Sequence, residues 1–172
     1  MVEPFDPQDW LMWYDVEQYL FEEVSAAYRL RGYFRPDEFF AILVWKSPRW
    51  TRRAAQWFTE PGNPSVEALT REVHDAGSDA QRVELLRQVR GISLPKASAV
   101  LTVGYPERCT ILDRRVWAAL TTHLRLLSGP KPSTGKGYEA YCAQCRGLAE
   151  HFGLKLRDLD RALWGWSWRQ QS

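Results

Sequence analysis

The chain has 172 residues, 45% hydrophobic and 26% charged, with a formal net charge of +2, which fits one globular domain over residues 1–172. No apolar run reaches the ~18 residues of a membrane-spanning helix, and the N-terminus MVEPFDPQDW has neither a basic nor an apolar leader region, so neither a membrane nor export is expected. The three cysteines, Cys109, Cys142 and Cys145, are an odd number at spacings unlike a disulfide framework, so a cytoplasmic protein is expected, nucleoid-associated if bacterial.

Taken from the N-terminus, nearly every segment reads as helix. Leu11, Tyr14, Leu20, Val24, Ala27 and Tyr28 recur at three- and four-residue spacings over 8–29, an amphipathic pattern that Gly32 ends. Pro36 in a first helical turn, followed by Asp37 and Glu38, starts a second helix through FFAILVWK. Ser47-Pro48 has the cap-then-proline form of a third start, leading into RWTRRAAQWF. PGNPS at 61–65 breaks the chain, Ser65 caps a helix through Asp75, and Ser78 or Asp79 starts another that ends near Arg90. Residues 81–103 then read as helix, turn, helix, with Pro95 opening the second member. After Asp113 a helix runs to about Leu127, SGPKPSTGKG at 128–137 is a loop, and two helices, about 138–152 and 156–166, follow. No alternating segment is long enough for a strand and no repeat is present; the expected fold is all-α.

Charge is uneven along the chain. Residues 1–40 carry three basic and nine acidic side chains, 41–80 five of each, and 81–136 ten basic against three acidic. A basic central third inside a near-neutral protein suggests one face for a polyanion, although a solvated helix face reads the same way. Nine tryptophans are many for this length; Trp10, Trp13, Tyr14, Trp45, Trp50, Trp57 and Trp117 are candidates for a pocket or for stacking on bases, against the simpler reading of an aromatic core. The loop at 128–137 contains Gly-Lys, but Gly129 and Gly135 enclose five residues and Gly137 stands where a Ser or Thr is required, so it is not a phosphate-binding loop, and no nucleotide cofactor is expected.

The stretch VRGISLPKASAVLTVGYPERCTILDRRVW at 89–117 carries the chemistry. Gly91 sits where the chain reverses, and glycine tolerates the positive φ such a turn needs. Ala97, Ser98 and Ala99 permit close packing, and the backbone N–H groups at the start of their helix form a natural phosphate site, with Arg87, Arg90 and Lys96 nearby. A structural αα-hairpin has a similar local pattern. Asp113 follows an apolar run and precedes Arg114 and Arg115; an aspartate there is a preferred N-cap, worth about 1 kcal/mol over alanine.

Gly91-Ile92-Ser93-Leu94-Pro95-Lys96-Ala97 resembles the Gly-Val-Gly-x-Lys-x-Ala hairpin of the helix-hairpin-helix DNA glycosylase superfamily, and Ile111-Leu112-Asp113-Arg114-Arg115-Val116 resembles the aspartate segment that follows it, closest to the Ile-Leu-Asp-x-x-Val form of the adenine-excising members. The resemblance implies a two-lobed helical bundle with a cleft between lobes, its hairpin and catalytic segment at about 81–127. It implies a monomer that binds duplex DNA through Gly91, Ile92, Ser93, Leu94, Lys96 and Ala97 with Arg90, Arg114 and Arg115, and that excises a flipped damaged or mismatched base with Asp113. It also implies a monovalent cation on hairpin carbonyls. Two departures stand out: Ser93 replaces the second glycine, and Pro95 occupies the position of the Schiff-base lysine. Proline has no primary amine, so hydrolysis without a lyase step is expected, with Lys96 and Lys46 as lesser candidates for an amine in the cleft. Cys142-x-x-Cys145 with a dispersed Cys109 and His74, His123 and His151 gives neither an iron–sulfur cluster nor a side-chain metal site. A non-catalytic DNA-structure-binding protein on the same scaffold and a helical protein-interaction domain are the alternatives.

Overall fold

The computed structural model describes residues 16–169, and these are all-α, with no strand among them. The expected contributions of Leu11 and Tyr14 lie outside the described residues, as do Trp10 and Trp13. Helix α1 covers 16–31 and is continuous through Val16–Gln18, a π-helical stretch Tyr19–Val24 and Ser25–Arg31. It stops where Gly32 adopts φ 76° and its N–H returns to the Tyr28 carbonyl at 2.8 Å, the usual way a glycine closes a helix. Helix α2, Pro36–Lys46, opens on proline, and Glu38 reaches back to the Arg35 N–H at 2.9 Å. That carboxylate is buried and also paired with the Arg31 guanidinium at 2.5 Å, so one charge ties the end of α1 to the start of α2.

Helix α3 is Thr51–Phe58, three residues later than Pro48 leads one to expect. The reason is tertiary. Ser47 to Trp50 form a turn, with the Thr51 N–H on the Pro48 carbonyl at 3.3 Å, and Trp50 takes the left-handed conformation at φ 68°. Its carbonyl is thereby turned to accept the Arg53 N–H at 3.0 Å and to press against Gly91. Helices α4 (Val66–Asp75) and α5 (Asp79–Arg87) start as the sequence indicates, with Ser65 Oγ accepting the Ala68 N–H and Ser78 Oγ the Gln81 N–H, each at 3.2 Å. Helix α6 is Leu94–Gly104. Helix α7 covers 114–123, as Arg114–Ala118 and a π-helical turn Ala119–His123, and ends four residues before the expected Leu127 because Arg125 turns left-handed at φ 53°. Thr134 caps α8, Gly135–His151, so the connecting loop closes earlier than its glycines suggest; α9 is Leu156–Arg169.

Helix α8 packs chiefly on α5, α4 on α5, α6 on α2 and α5, and α9 on α7. One apolar cluster runs through them all. Its centre is α6, where Ala97, Ala99, Val100, Leu101 and Val103 are buried against Leu43 of α2, Leu86 of α5 and Leu112. The small side chains at 97–99 let neighbouring backbones approach, and the same helix therefore carries both the turn at Gly91 and the segment that leads to Asp113. Cys109, Cys142 and Cys145 are free thiols in this interior.

Candidate active site

The segment from Thr110 to Asp113 is neither helix nor strand, so its position depends on side chains that hold its backbone. Tyr138 Oη donates to the Thr110 carbonyl at 3.0 Å and Tyr141 Oη to the Ile111 carbonyl at 3.2 Å, both from α8. From the opposite side Ser98 Oγ accepts the Leu112 N–H at 3.0 Å and donates to the Pro95 carbonyl at 2.8 Å. One hydroxyl thus joins the first turn of α6 to the residue before Asp113. All three anchoring side chains are buried, where satisfied hydrogen bonds fix one geometry and unsatisfied ones are costly.

Asp113 divides its carboxylate between two tasks. Oδ1 accepts the N–H groups of Arg115 at 2.6 Å and Val116 at 3.1 Å, capping α7. Oδ2 faces the last residue of α2, with Lys46 Nζ at 3.0 Å. The pair is partly withdrawn from solvent, at 21% exposure for the aspartate side chain and 14% for the lysine. Burial pushes the Asp113 carboxyl up, but the Lys46 ammonium and the two backbone donors outweigh it, and the group sits below the ordinary carboxylate value.

The pair opens on a cleft of about 430 Å³ lined by Trp45, Lys46, Ile111, Asp113, Val116 and Trp164, with Glu17, Arg157, Asp160 and Arg161 around it. That volume is in the range of small-molecule sites, about 300–1,000 Å³. Arg157 pairs with both Glu17 and Asp160 and stacks over Phe21 and Trp45. Asp160 is 4% exposed. Burial raises its pKa to about 6 against the pull of Arg157 and Lys46, and the neighbouring Asp113 and Glu17 charges raise it further. A larger hollow of about 770 Å³ lies between α4, α5 and the start of α8, lined by Glu72, Ala80, Glu84, Leu85 and Lys136 among others. It does not reach Asp113, which lies with Lys46 in the smaller cleft.

The turn before α6 has Gly91 at φ 94°, and a β-carbon on it would lie 2.7 Å from the Trp50 carbonyl and 3.0 Å from Arg53 Cβ. Both its conformation and its neighbours require glycine. Ser93, in the place of the second glycine, has φ −83°, ordinary extended backbone that needs none, and it is exposed without capping α6. Ile92 and Leu94 are buried at 5% and 7% exposure, and Ala97 wholly so, its N–H on the Ser93 carbonyl at 2.9 Å. Lys96 is placed differently from a phosphate contact: it is 4% exposed, its amine donates to Thr51 Oγ1 at 2.9 Å, and burial lowers its pKa. Arg90 is exposed and pairs with Glu60 at 2.8 Å, Arg87 pairs with Glu84, and Arg114 is exposed beside the partly buried Arg115. Arg49, Arg52 and Arg53 add exposed cations on the Trp50 corner, with Arg53 over the Trp50 ring at 4.1 Å. For the monovalent cation, the Val89 and Ser93 carbonyls already accept the Ile92 and Ala97 N–H groups. No cluster of three or more His, Cys, Asp or Glu side chains suited to a metal occurs among the described residues.

Of the aromatic candidates, Trp45 lines the cleft, Trp50 is 53% exposed near the hairpin, Trp57 packs on Phe58 and Trp117 leans on Tyr141. Sequence reading missed Glu17, Asp160, Arg161 and Trp164. A signal for α9 existed: Arg157, Asp160 with Arg161, and Trp164 recur at three- and four-residue spacing, which puts them on one helix face. In comparisons with known proteins, no family model, no curated protein and no solved structure matches this chain.

Proposed function

We propose that the protein is a base-excision DNA glycosylase built on a helix-hairpin-helix scaffold, a monomer of one two-lobed helical domain that takes duplex DNA as its partner. The observation that carries this reading is the division of labour on Asp113. One oxygen fixes the carboxylate to its helix, and the other is held by Lys46 at a cleft of about 430 Å³ whose wall includes Trp45 and Trp164. Breaking an N-glycosidic bond develops positive charge at the sugar C1′. A fixed carboxylate, ionised at neutral pH, stabilises that charge and orients the attacking water. Base release is thus assigned to hydrolysis at Asp113, since Pro95 leaves the hairpin without an amine at the lysine position.

The base must leave the stack to be reached, at a cost of a few kcal/mol, and Trp45 and Trp164 offer it apolar surface. The DNA backbone is assigned to the turn at 91–94 with Arg90, Arg114 and Arg115, extended by Arg49, Arg52 and Arg53. Such contacts hold phosphate without reading sequence. Lys96 is dropped from this set, because its ammonium is turned inward.

The reading is tested with duplexes carrying oxidised, deaminated, alkylated and mismatched bases, treated with alkali after incubation so that any abasic site becomes a strand break. At least one lesion is expected to give alkali-dependent cleavage with the native protein. Salt-sensitive binding to all of these duplexes without base release from any would move the protein to the non-catalytic reading, and no binding at low salt would remove DNA altogether.

A further inference from the structure

We propose that the hollow of about 770 Å³ over α5 is a docking groove for an amphipathic α-helix of a protein partner, one with basic side chains along one flank and an acidic side chain on the other. The groove stands apart from the base-excision reading, because among the described residues it shares no lining residue with the Asp113 cleft.

Three helices build it. Both α4 and α8 pack on α5, and α5 with its C-cap presents Ala80, Gln81, Glu84, Leu85 and Gln88 between them. These positions fall in two rows four residues apart, so they form one helix face. At 1.5 Å per residue that face is about 12 Å long, the length of two turns of a second helix. The walls are fixed to this floor before any partner arrives. Arg82 Nε donates to the Val73 carbonyl at 3.1 Å and holds the end of α4. Glu84 accepts the Gly135 N–H at 2.6 Å, and Arg87 donates to the Ser133 carbonyl at 3.0 Å, which together hold the start of α8. A preformed groove spares the complex the cost of ordering its receptor.

Charge specifies the occupant. Glu72 and Asp75 stand exposed in the last turn of α4, where the helix dipole is also negative. The His74 ring lies 3.1 Å from Asp75, and whatever the charge on that ring, Glu72 keeps the wall acidic. Lys136 stands exposed in the first turn of α8, at the positive end of that helix. On the floor, Glu84 is already matched by Arg87 and the Gly135 N–H. Between the charged edges lie the half-buried Ala76, Ala80 and Leu85. An apolar strip between an acidic wall and a basic one fits a helix whose apolar stripe faces down, with Lys or Arg over α4 and Asp or Glu over α8. Nucleic acid is repelled by the α4 wall, and no aromatic ring is among the described lining residues to stack on a base. A small polar ligand needs polar groups that converge on it, whereas these stand on opposite edges.

A photo-reactive benzoylphenylalanine in place of Gln81 or Gln88, in the full chain expressed in its own host, tests the proposal. Irradiation is expected to join the same protein at both positions. Mass spectrometry is expected to place the crosslinks in one segment, with apolar residues at three- and four-residue spacing and Lys or Arg along one flank. A synthetic peptide of that segment is then titrated against native protein and against Glu72→Lys with Asp75→Lys. The double variant is expected to bind it at least about 10-fold more weakly, with a melting curve like that of the native protein. Crosslinks to a second copy of this chain, to lipid or to no protein overturn the proposal, as does a segment without that pattern. So does a peptide whose affinity ignores reversal of the α4 wall. Base release by the double variant is expected to equal the native rate, so this proposal and the glycosylase reading fail separately.

Discussion

The two lysines nearest the candidate site make an instructive pair. Lys96 belongs to the stretch that resembles a DNA-binding hairpin, yet its amine turns inward to the Thr51 hydroxyl and burial lowers its pKa. Lys46 lies 67 residues from Asp113 in sequence, in a segment with no such motif, and its amine meets that carboxylate at 3.0 Å. Sequence proximity to a motif thus predicts where a backbone goes better than where its ammonium ends up. The direction of a side chain is set by what packs against it: for Lys96 by the α3 corner pressed on the turn, for Lys46 by its place at the end of α2.

The same contrast divides the turn at 91–94, a region specified by backbone conformation, from the cleft, a region specified by side-chain pairing. The largest expected effect falls on the cleft. Asp113→Asn should keep the cap, because asparagine caps as well as aspartate, and should lower base release by about 100- to 10,000-fold. Equal melting temperatures with unequal release rates would separate the two tasks of this residue. Gly91→Ala comes next, and in the turn. Its β-carbon would meet the Trp50 carbonyl at 2.7 Å in a left-handed backbone, so a loss of about 2 kcal/mol is expected by denaturant unfolding. Ser98→Ala strips the link between the regions, leaving the Leu112 N–H without its 3.0 Å partner. About 1–3 kcal/mol should be lost, and release should fall as Asp113 loosens.

A pH measurement sharpens the cleft side further. The folded pKa of Asp160 is raised to about 6, above its ordinary value of 3.8. Between these values the folded state holds a proton that the unfolded state has released. Stability from this group is therefore full at low pH, declines as pH rises through that window, and is level above it. Arg157, Lys46, Asp113 and Glu17 face the group and shape the curve. Asp160→Asn should flatten the decline between pH 4 and 6 in urea titrations; an unchanged slope would place the decline elsewhere. The smallest effect is on DNA affinity. Arg52→Ala and Arg114→Ala should each reduce the slope of log K against log salt by about 1, whereas Lys96→Met should leave it unchanged.

Much of the fold was legible in the sequence because its signals were local. Ser65 and Ser78 cap where they stand, Gly32 closes α1 by its own conformation, and Pro36 opens α2. The start of α3 was not legible, since Pro48 signals a helix and only contact with Gly91 explains why Trp50 interrupts it. At the site, Asp113 and its capping role could be found from its segment, whereas the Lys46 ammonium on its second oxygen could not. Lys46 was named only as a lesser candidate beside Lys96, and Asp160 and Trp164 not at all, because these residues come from other helices and no local pattern announces that α2 and α9 converge on Asp113. The basic excess of residues 81–136 is distributed between surface and interior in a way linear charge does not show. Arg82 is buried on Asp79 and Lys96 is buried, whereas Arg108 pairs with the same carboxylate and stays exposed.

Catalysis at Asp113 is decided by measuring base release and duplex affinity side by side for the native protein and Asp113→Asn, on the lesion the panel identifies. Alkali-labile sites with the native protein, loss of release of at least about 100-fold in the variant, and binding of the same duplex within a few-fold of native are expected. Equal release by both proteins would contradict it.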